Sequence, residues 1–535
     1  MHTPLRTFAV ELLLVAAIGS ATVSAATPAP AIAAPWISDQ GDGTYKNPVL
    51  FADYSDPDVI RVGQDFYMTA SSFNCVPGLP ILHSRDLVNW RLIGHAVQRL
   101  PQRFDTVQHG NGLWAPSIRH HDGYFWIFVG DPDWGILMTR AADPDGPWEP
   151  LHAVKEGKGL IDPCPLWDGD KAYLAHAYAK SRAGKNSIIV CQEMSLDGRR
   201  VLGEERIVID GRDGVHPTIE GPKFYRRNGW YYIFAPAGGV KPGWQLAARA
   251  TNPFGPYEVK RVLEQGTTPI NGPHQGGWVE LENGENWFLH FQDRGAYGRV
   301  VHLNPVRWVD DWPAMGVDLD GNGVGEPVTT YVKPDVGESG PAESPPTSDA
   351  FNGPLGLQWQ WQGNPRDDWV SLAARPGWLR LRAVEPLPGD LTAAPHQLLQ
   401  KFPAPAFTAT TLVDFAPGRE EASAGLVVMG LTHAAIVLRR GEDGLRIEQI
   451  SNIEPGPNGE DQLHGSVSGI RGPVHLRIEV EPNAKCTFSY SLDGKQFTEL
   501  GEPFVAGPGR WIGAKVGLVC CGEDAHADFD WFEVE

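Results

Sequence analysis

Short alternating runs of hydrophobic and polar residues, separated by turn residues, make up most of this chain. A turn followed by an aromatic run recurs five times, as GQDFYM (63–68), DGYFWIF (122–128), DGDKAYLA (168–175), NGWYYIF (228–234) and NGENWFLHF (283–291). Asp-Gly and Asn-Gly pairs favour tight hairpin turns, and the runs that follow them are typical of strands. The glycines of the five turns are 60, 46, 60 and 55 residues apart. The chain therefore repeats a β-hairpin at a period of about 50 residues.

A longer repeat supports this period. TRAADPDGPWE (139–149) resembles ARATNPFGPYE (248–258), and the two lie 109 residues, or two periods, apart. Units of about 50 residues with several short strands are typical of propeller blades, whereas the repeats of a parallel β-helix, the main alternative, are much shorter. The pattern predicts an all-β protein with a five-bladed β-propeller at residues 45–332.

A second β-domain follows a segment without hydrophobic periodicity. Residues 333–349 (KPDVGESGPAESPPTSD) are rich in Pro, Ser, Gly and acidic residues and are predicted to be a linker. Alternation then resumes at residues 350–535, with strands expected at 408–415, 425–431, 434–440, 475–481 and 528–535. No long helical pattern is present, so we expect a β-sandwich of the concanavalin-like or jelly-roll type.

The N-terminal region has the features of an export signal. Residues 12–17 are apolar, and Val23-Ser24-Ala25-Ala26 is similar to an A-x-A cleavage site. We therefore expect a signal peptide at residues 1–26, a Pro/Ala-rich spacer at 27–44 and a secreted or periplasmic protein. A buried N-terminal strand or a misassigned start is the alternative. The apolar run is too short to span a bilayer.

Composition excludes several classes of partner. The 535 residues include 45 Lys and Arg against 65 Asp and Glu, a formal charge of −20. Nucleic-acid binding and polybasic membrane docking both depend on Lys and Arg, so neither partner is expected, and no membrane insertion is expected either. The six cysteines show no zinc-type spacing, and nothing in their spacing requires disulfides. The oligomeric state cannot be read from the sequence.

One polar or aromatic residue precedes the aromatic run of each repeat. These residues are Asp56, Trp114, Asp162, Glu220 and His274, at separations of 58, 48, 58 and 54. In a propeller the innermost strands surround the central axis, so residues at the starts of these strands should converge on one funnel. Taken singly, each acidic motif is more often a turn, and the Trp or His is more often a core residue. Their equivalent positions favour a shared site.

Three carboxyl groups in one pocket repel one another, so their pKa values must separate. This separation allows one group to act as an acid and another as a base at the same pH. Glycoside hydrolysis requires such a pair, and Trp114 could stack on the apolar face of a sugar. No G-x-S-x-G motif and no phosphate-binding loop of the Walker type is present.

The segments around these residues resemble glycoside hydrolase family 43. The matching stretches are NPVLFADYSDPDVIRVGQDFYM, SSFNCVPGLPILHSRDLVNW, GLWAPSIRHHDGYFWIF, GLIDPCPLWDGDKAYL, IEGPKFYRRNGWYYIF and GRVVHLNPVRW. The resemblance covers residues 47–334 and extends into the C-terminal domain. It implies a five-bladed propeller, often followed by a β-sandwich, and an inverting enzyme acting on xylan, arabinoxylan or arabinan.

The resemblance also implies a role for each candidate residue. Asp56 would be the general base, Glu220 the general acid, and Asp162 the group that orients the acid and tunes its pKa. In an inverting enzyme the two catalytic carboxyl groups stand about 6.5–9.5 Å apart, with room for water between them. His274 would hold a calcium or other ion through water, so no cofactor is required but a structural or activating Ca²⁺ on the propeller axis is possible. Arg299 would contact sugar hydroxyls.

The segment SSFNCVPGLPILHSRDLVNW and the opening of the second domain resemble the branch with β-xylosidases and α-L-arabinofuranosidases. In such relatives the sandwich packs against the propeller and can close one side of the pocket, so an exo-acting enzyme with Phe73 and Trp114 as pocket walls is expected. The substrate would be a xylo- or arabino-configured oligosaccharide, and either sugar remains open. The alternatives are a non-catalytic carbohydrate-binding propeller and a retaining fructan-type hydrolase, although no WMNDPNG-like opening is present.

Overall fold

The computed structural model describes Met1 and residues 34–337, 340–384, 390–418, 422–441, 444–456 and 459–535. Residues 2–26 of the expected signal peptide and residues 27–33 of the expected spacer lie outside the described residues. Within the described part of the chain, no helix is long and apolar enough to cross a membrane.

Five antiparallel sheets of four strands each form the N-terminal half of the protein, after a short strand β1 (Thr44–Lys46). In each sheet the strands follow one another in chain order. The first and second sheets contain β2 (Asp58–Val62), β3 (Asp65–Thr69), β4 (Gly78–Ser84) and β5 (Trp90–Val97), then β6 (Trp114–His121), β7 (Tyr124–Asp131), β8 (Gly135–Ala141) and β9 (His152–Glu156). The third contains β10 (Leu160–Asp168), β11 (Lys171–Tyr178), β12 (Ile188–Met194) and β13 (Val201–Asp210). The fourth and fifth contain β14 (Lys223–Arg227), β15 (Trp230–Ala237), β16 (Trp244–Ala250) and β17 (Glu258–Leu263), then β18 (His274–Glu280), β19 (Asn286–Asp293), β20 (Arg299–Val309) and β21 (Trp312–Met315).

The aromatic repeats predict the second strand of each sheet. The five turn glycines lie between the first and second strands, and the aromatic runs form β3, β7, β11, β15 and β19. β2, β6, β10 and β14 contact one another in this order, β18 contacts β15 of the fourth sheet, and the fifth sheet returns to the first through β18 and β2. The all-β propeller expected from the sequence is therefore confirmed.

A buried polar cluster joins the innermost strands on the axis. The side chain of Asp58 is fully buried; its Oδ2 accepts hydrogen bonds from the Ile118 N–H (2.9 Å) and Arg119 Nη1 (2.7 Å). Arg119 Nη2 donates to Cys164 Sγ at 2.8 Å, and Lys223 Nζ lies 3.7 Å from Asp58 Oδ2. These residues belong to the first strands of the first four sheets. We call Asp58, Arg119, Cys164 and Lys223 the axial cluster.

The C-terminal half is a sandwich of two antiparallel sheets, preceded by β22 (Thr330–Val332), which pairs with β1. One sheet contains β23 (Val370–Ser371), β24 (Leu379–Arg382), β26 (Phe407–Ala416), β31 (Val474–Glu481), β32 (Lys485–Ser491), β33 (Thr498–Glu499), β34 (Phe504–Val505) and β36 (His526–Val534). The other contains β25 (Leu398–Lys401), β27 (Ser423–Met429), β28 (His433–Gly441), β29 (Gly444–Asn452), β30 (Gln462–Ile470) and β35 (Lys515–Cys521). All five strands expected in this region are present. Helical structure among the described residues is limited to one turn of α-helix, α1 (Lys180–Ala183), and 3-10 turns at Gln102–Asp105, Gly295–Tyr297, Leu391–Ala393 and Pro482–Ala484.

The sandwich packs directly against the propeller. Val76 and Trp361 exchange two backbone hydrogen bonds, and the Tyr297 hydroxyl donates to the carbonyl of Pro405. Asp53 accepts hydrogen bonds from the backbone N–H groups of Arg299 and Gly513, one in each domain. All six cysteines are free and buried, and Cys520 and Cys521 are adjacent positions on strand β35.

Candidate active site

The residues expected to converge from the five repeats lie around one cavity. Trp114 and His274 are the first residues of β6 and β18, and Asp162 is the third residue of β10. Asp56 and Glu220 stand two and three residues before β2 and β14. The cavity has a volume of about 130 Å³. It is lined by Asp56, Phe73, Trp114, Ala115, Ile161, Asp162, Glu220, Val240, His274, Gln275, Arg299 and Trp511. All seven site residues expected from the sequence are thus brought together.

Local irregularities turn these side chains toward the axis. The backbone has positive φ angles at Asp56 (52°), Ala115 (43°), Asp162 (56°) and Gly221 (59°), equivalent places in four sheets. The pairing register of β10 with β11 shifts between Ile161 and Cys164. Similar shifts occur in β6 beside Trp114 and in β18 beside His274. Such bulges re-aim side chains, and positive φ in residues other than glycine is costly and clusters at functional sites.

Donors from three directions hold the Asp56 carboxylate. Its Oδ2 accepts hydrogen bonds from the hydroxyls of Ser55 (2.6 Å) and Ser71 (2.7 Å). Arg299 Nη1 lies 3.0 Å from Oδ1 and 3.1 Å from Oδ2, and it also donates to Ser55 Oγ. Asp56 is 6% exposed, so these contacts fix one orientation of a nearly buried anion. Arg299, which was expected to contact sugar hydroxyls, lines the cavity and also contacts the Asp56 carboxylate.

Asp162 and Glu220 occupy a different electrostatic environment. Burial raises the pKa of the Glu220 carboxyl well above its ordinary value, and the nearby charges of Asp162 and Asp56 raise it further. Burial also raises the pKa of the Asp162 carboxyl, and the charge of Asp56 raises it further. Asp162 Oδ2 accepts a hydrogen bond from the Gly221 N–H at 2.8 Å, which fixes the peptide next to Glu220. The pocket therefore contains two carboxyl groups with raised pKa values beside one that is ion-paired.

His274 is buried beside the acid. Its Nε2 lies 3.6 Å from Glu220 Oε1, and burial, with the charge of Arg299, lowers the pKa of His274 to about 3. Among the described residues, both ring nitrogens of His274 are without a hydrogen-bond partner. A neutral ring with two free nitrogens is suited to a hydrogen bond with water or a ligand.

The calcium ion that the resemblance implies stays a prediction. Calcium takes about six to eight oxygen ligands. Within the described ranges, no group of three His, Cys, Asp or Glu side chains is arranged to hold a metal ion. His274 would have to act through water, as the resemblance implies, and no chemical step below depends on an ion.

Three aromatic rings form one wall of the cavity. Trp114 stands between Phe73 and Trp511, with ring centroids 6.1 Å away on each side in edge-to-face contact. The Trp114 indole N–H donates to the carbonyl of Gly110, which fixes the ring. Phe73 is 2% exposed, whereas Trp511, from the sandwich, is 44% exposed. Both domains therefore shape the pocket.

Sequence reasoning missed several residues of the site. Ser55 and Ser71 hold Asp56, and Gln275 lines the cavity next to His274. The Ser55 side chain could have been noticed from its position beside Asp56. Trp511 carries no signal in the sequence, because it follows the last repeat by about 200 residues and reaches the site through domain packing.

Comparisons with known proteins agree with this architecture. The sequence model described as "Glycosyl hydrolases family 43" matches residues 45–313, and "Beta xylosidase C-terminal Concanavalin A-like domain" matches residues 348–535. A putative beta-xylosidase of Xylanibacter ruminicola is 42% identical over 90% of this chain and 87% of its own. A non-reducing end alpha-L-arabinofuranosidase of Bacteroides ovatus is 32% identical over 72% of this chain and 73% of its own.

Solved structures agree as well. The crystal structure of a family 43 protein from Bacillus licheniformis superimposes with a TM-score of 0.79 at 28% identity, covering 92% of this chain and 99% of that protein. The sandwich expected after the propeller is matched over almost its whole length by the concanavalin A-like model. The chain is therefore a glycosidase that belongs to family 43 of the glycosyl hydrolases and carries its C-terminal concanavalin A-like domain.

Proposed function

We propose that this glycosidase is an inverting, exo-acting enzyme that removes terminal β-D-xylosyl or α-L-arabinofuranosyl residues from xylan-type oligosaccharides. The relatives named as beta-xylosidase and alpha-L-arabinofuranosidase support this substrate class. The observation that carries the proposal is the contrast between an ion-paired Asp56 and a proton-holding Glu220 in one pocket.

Asp56 acts as the general base. The hydroxyls of Ser55 and Ser71 and the guanidinium of Arg299 hold its carboxylate at the edge of the cavity. A water molecule beside it would lose a proton to Asp56 as its oxygen attacks the anomeric carbon. Because the water attacks on the face opposite the leaving group, the configuration inverts.

Glu220 acts as the general acid. Its raised pKa keeps the carboxyl protonated near neutral pH, so that it can donate this proton to the glycosidic oxygen as the bond breaks. Asp162 is a positioning residue: it accepts the Gly221 N–H and contributes to the raised pKa of the acid. Protons move only between side chains, water and substrate, so the proposed reaction uses no cofactor.

The shape of the cavity supports exo action. A volume of about 130 Å³ has room for roughly ten water-sized groups at about 10–15 Å³ each, which suits one small sugar ring. Trp114 and Phe73 offer rings for its apolar face, while Trp511 closes one side. A pocket that is blocked on one side accepts a chain end, whereas an internal segment requires a groove that is open at both ends.

We also propose that the protein acts outside the cytoplasm, as the apolar run and cleavage-like site before residue 27 suggest. An oligosaccharide substrate derived from a large polymer is available there. N-terminal sequencing of the protein recovered from the periplasm or medium tests this: we expect the mature chain to begin at Thr27. An uncleaved protein confined to the cytoplasm would contradict it.

The stereochemistry of the product tests the mechanism. We expect hydrolysis of nitrophenyl β-D-xyloside or α-L-arabinofuranoside, with the first-formed sugar in the opposite anomeric configuration by ¹H NMR. Early digestion of xylotetraose should yield xylose and xylotriose. Retention of configuration would contradict the inverting mechanism, and binding of oligosaccharides without cleavage of either aryl glycoside would favour a binding protein.

Substitution of the acid should depend on the leaving group. Glu220→Ala should reduce kcat on xylobiose by about 10²–10⁴-fold, the usual contribution of general acid catalysis. Activity should be partly retained on a dinitrophenyl glycoside, whose leaving group needs no proton. Asp56→Asn should lose activity on both substrates, because water must be activated in each case.

Glu282→Gln is the matched control for these variants. This side chain is 72% exposed and is not among the residues that line the pocket, so its kinetics should match those of the wild type. Equal losses on the two substrates in Glu220→Ala would contradict the assignment of the acid.

The pH profile tests the role of Asp162. Activity requires protonated Glu220, so kcat/KM should fall as pH rises through the pKa of this group. Asp162→Asn removes a negative charge that raises this pKa, so the alkaline limb should move to lower pH. The asparagine oxygen can still accept the Gly221 N–H. If Asp162→Asn lowers the rate but leaves the alkaline limb at the same pH, Asp162 does not act through the pKa of Glu220.

A further inference from the structure

A thiol and an amine meet at the domain interface beside the pocket. Cys75 lies in the propeller, two residues after Phe73, and Lys515 begins β35 of the sandwich, four residues after Trp511. They are 2% and 3% exposed, and Lys515 Nζ lies 2.6 Å from Cys75 Sγ. The proposed hydrolysis uses neither group.

The separation of the two atoms is short for a hydrogen bond. Even with oxygen as the acceptor, an N–H donor stands about 2.7–3.2 Å away, and sulfur is a larger atom than oxygen. A nitrogen and a sulfur joined through one bridging atom come this close without movement of either side chain. We propose that Cys75 and Lys515 form a reversible, oxygen-bridged covalent crosslink, S–O–N, when the protein is exposed to hydrogen peroxide.

The surroundings favour reaction at this pair. Lys401 is the register partner of Lys515 on the adjacent strand β25. Burial lowers the pKa of Lys401; the charge of Lys515 adds to this effect and that of Asp53 opposes it. Two lysines thus lie side by side at this buried place, and Lys515 Nζ is in contact with Cys75 Sγ. The pair therefore holds a sulfur that peroxide can oxidise against an amine.

The reaction balances with two molecules of peroxide. The sulfur attacks one peroxide oxygen, the O–O bond breaks, and a sulfenic acid and water result. The amine is oxidised likewise to a hydroxylamine, with release of a second water. The hydroxylamine oxygen then attacks the sulfenic sulfur, the S–OH bond breaks, and a third water leaves. Sulfur and nitrogen each lose two electrons, and the protein gains one oxygen and loses two hydrogens.

The crosslink would fix one wall of the pocket. Phe73, Cys75 and Ile512 form a single hydrophobic cluster, against which Trp114 packs. A bond between Cys75 and Lys515 ties the loop that carries Phe73 to the segment that carries Trp511. It also closes a loop of 440 residues between the two domains, which restricts the unfolded chain. We therefore expect the oxidised form to have a higher Tm.

Peptide mapping of the full-length protein tests the proposal. The protein is treated with hydrogen peroxide, digested without reductant and analysed by mass spectrometry. We expect one crosslinked peptide pair containing Cys75 and Lys515, with one oxygen more and two hydrogens fewer than the two peptides. Dithiothreitol should restore both peptides and lower the Tm to its original value, because two dithiols supply the four electrons required.

Matched variants separate this pair from general oxidation. Cys75→Ser and Lys515→Gln should lose the crosslink and the rise in Tm. Cys486→Ala changes another buried cysteine, in strand β32 of the sandwich, and should retain the crosslink and the rise in Tm. If either interface variant fails to fold, the peptide map of the wild type still decides, since it locates both ends of the bond.

Other products would overturn the proposal. Cys75 carrying only added oxygen, with Lys515 free, would show a thiol oxidised without its neighbour. A direct S–N bond, which loses two hydrogens and gains no oxygen, would exclude the bridging atom. An unmodified Cys75 after oxidation of other residues would also overturn it. None of these outcomes depends on the assignment of the acid and base.

Discussion

The axial cluster is the constraint on which the pocket depends. The carboxylate of Asp58 has no exposed surface and accepts hydrogen bonds from two donors of the next sheet. Lys223 Nζ donates a hydrogen bond to the Pro116 carbonyl at 2.7 Å. Loss of one partner from a buried ion pair costs about 3–5 kcal/mol, because it leaves an uncompensated charge. The fifth sheet must contribute a residue without a side chain: a Cβ on Gly277 would lie 2.7 Å from Asp58 Oδ1. The cluster therefore sets how closely the innermost strands approach.

The catalytic asymmetry follows from this approach. Asp56 is two residues from Asp58 and its carboxylate pairs with Arg299. Glu220 is three residues from Lys223 and lies beside His274; burial and the charges of Asp162 and Asp56 raise its pKa, and Arg299 opposes this effect. Similar side chains on equivalent strands thus meet different electrostatic surroundings. Asp53 connects the site to the sandwich, because its carboxylate accepts hydrogen bonds from the backbone N–H of Arg299 in the propeller and of Gly513 in the sandwich.

The sandwich is a part of the pocket as well as a cover for the propeller. Trp511 stands against Trp114, while Lys515, a few residues later, reaches Cys75 behind the same wall. One short segment therefore contributes an aromatic ring to the cavity and an amine to the domain interface. A change in the Cys75–Lys515 contact would be transmitted to Trp511 over four residues, through the buried Ile512.

The sequence alone determined the repeated hairpin, the strands and the convergence of Asp56, Trp114, Asp162, Glu220 and His274, because each depends on local turn chemistry and on a constant period along the chain. It could not show that Arg299 binds Asp56, that Ser71 holds the same carboxylate, or that Trp511 closes the pocket. These contacts join positions 15 to several hundred residues apart that do not occupy equivalent places in the repeat. Only the packing of sheets around the axis, and of the sandwich against them, brings such residues together.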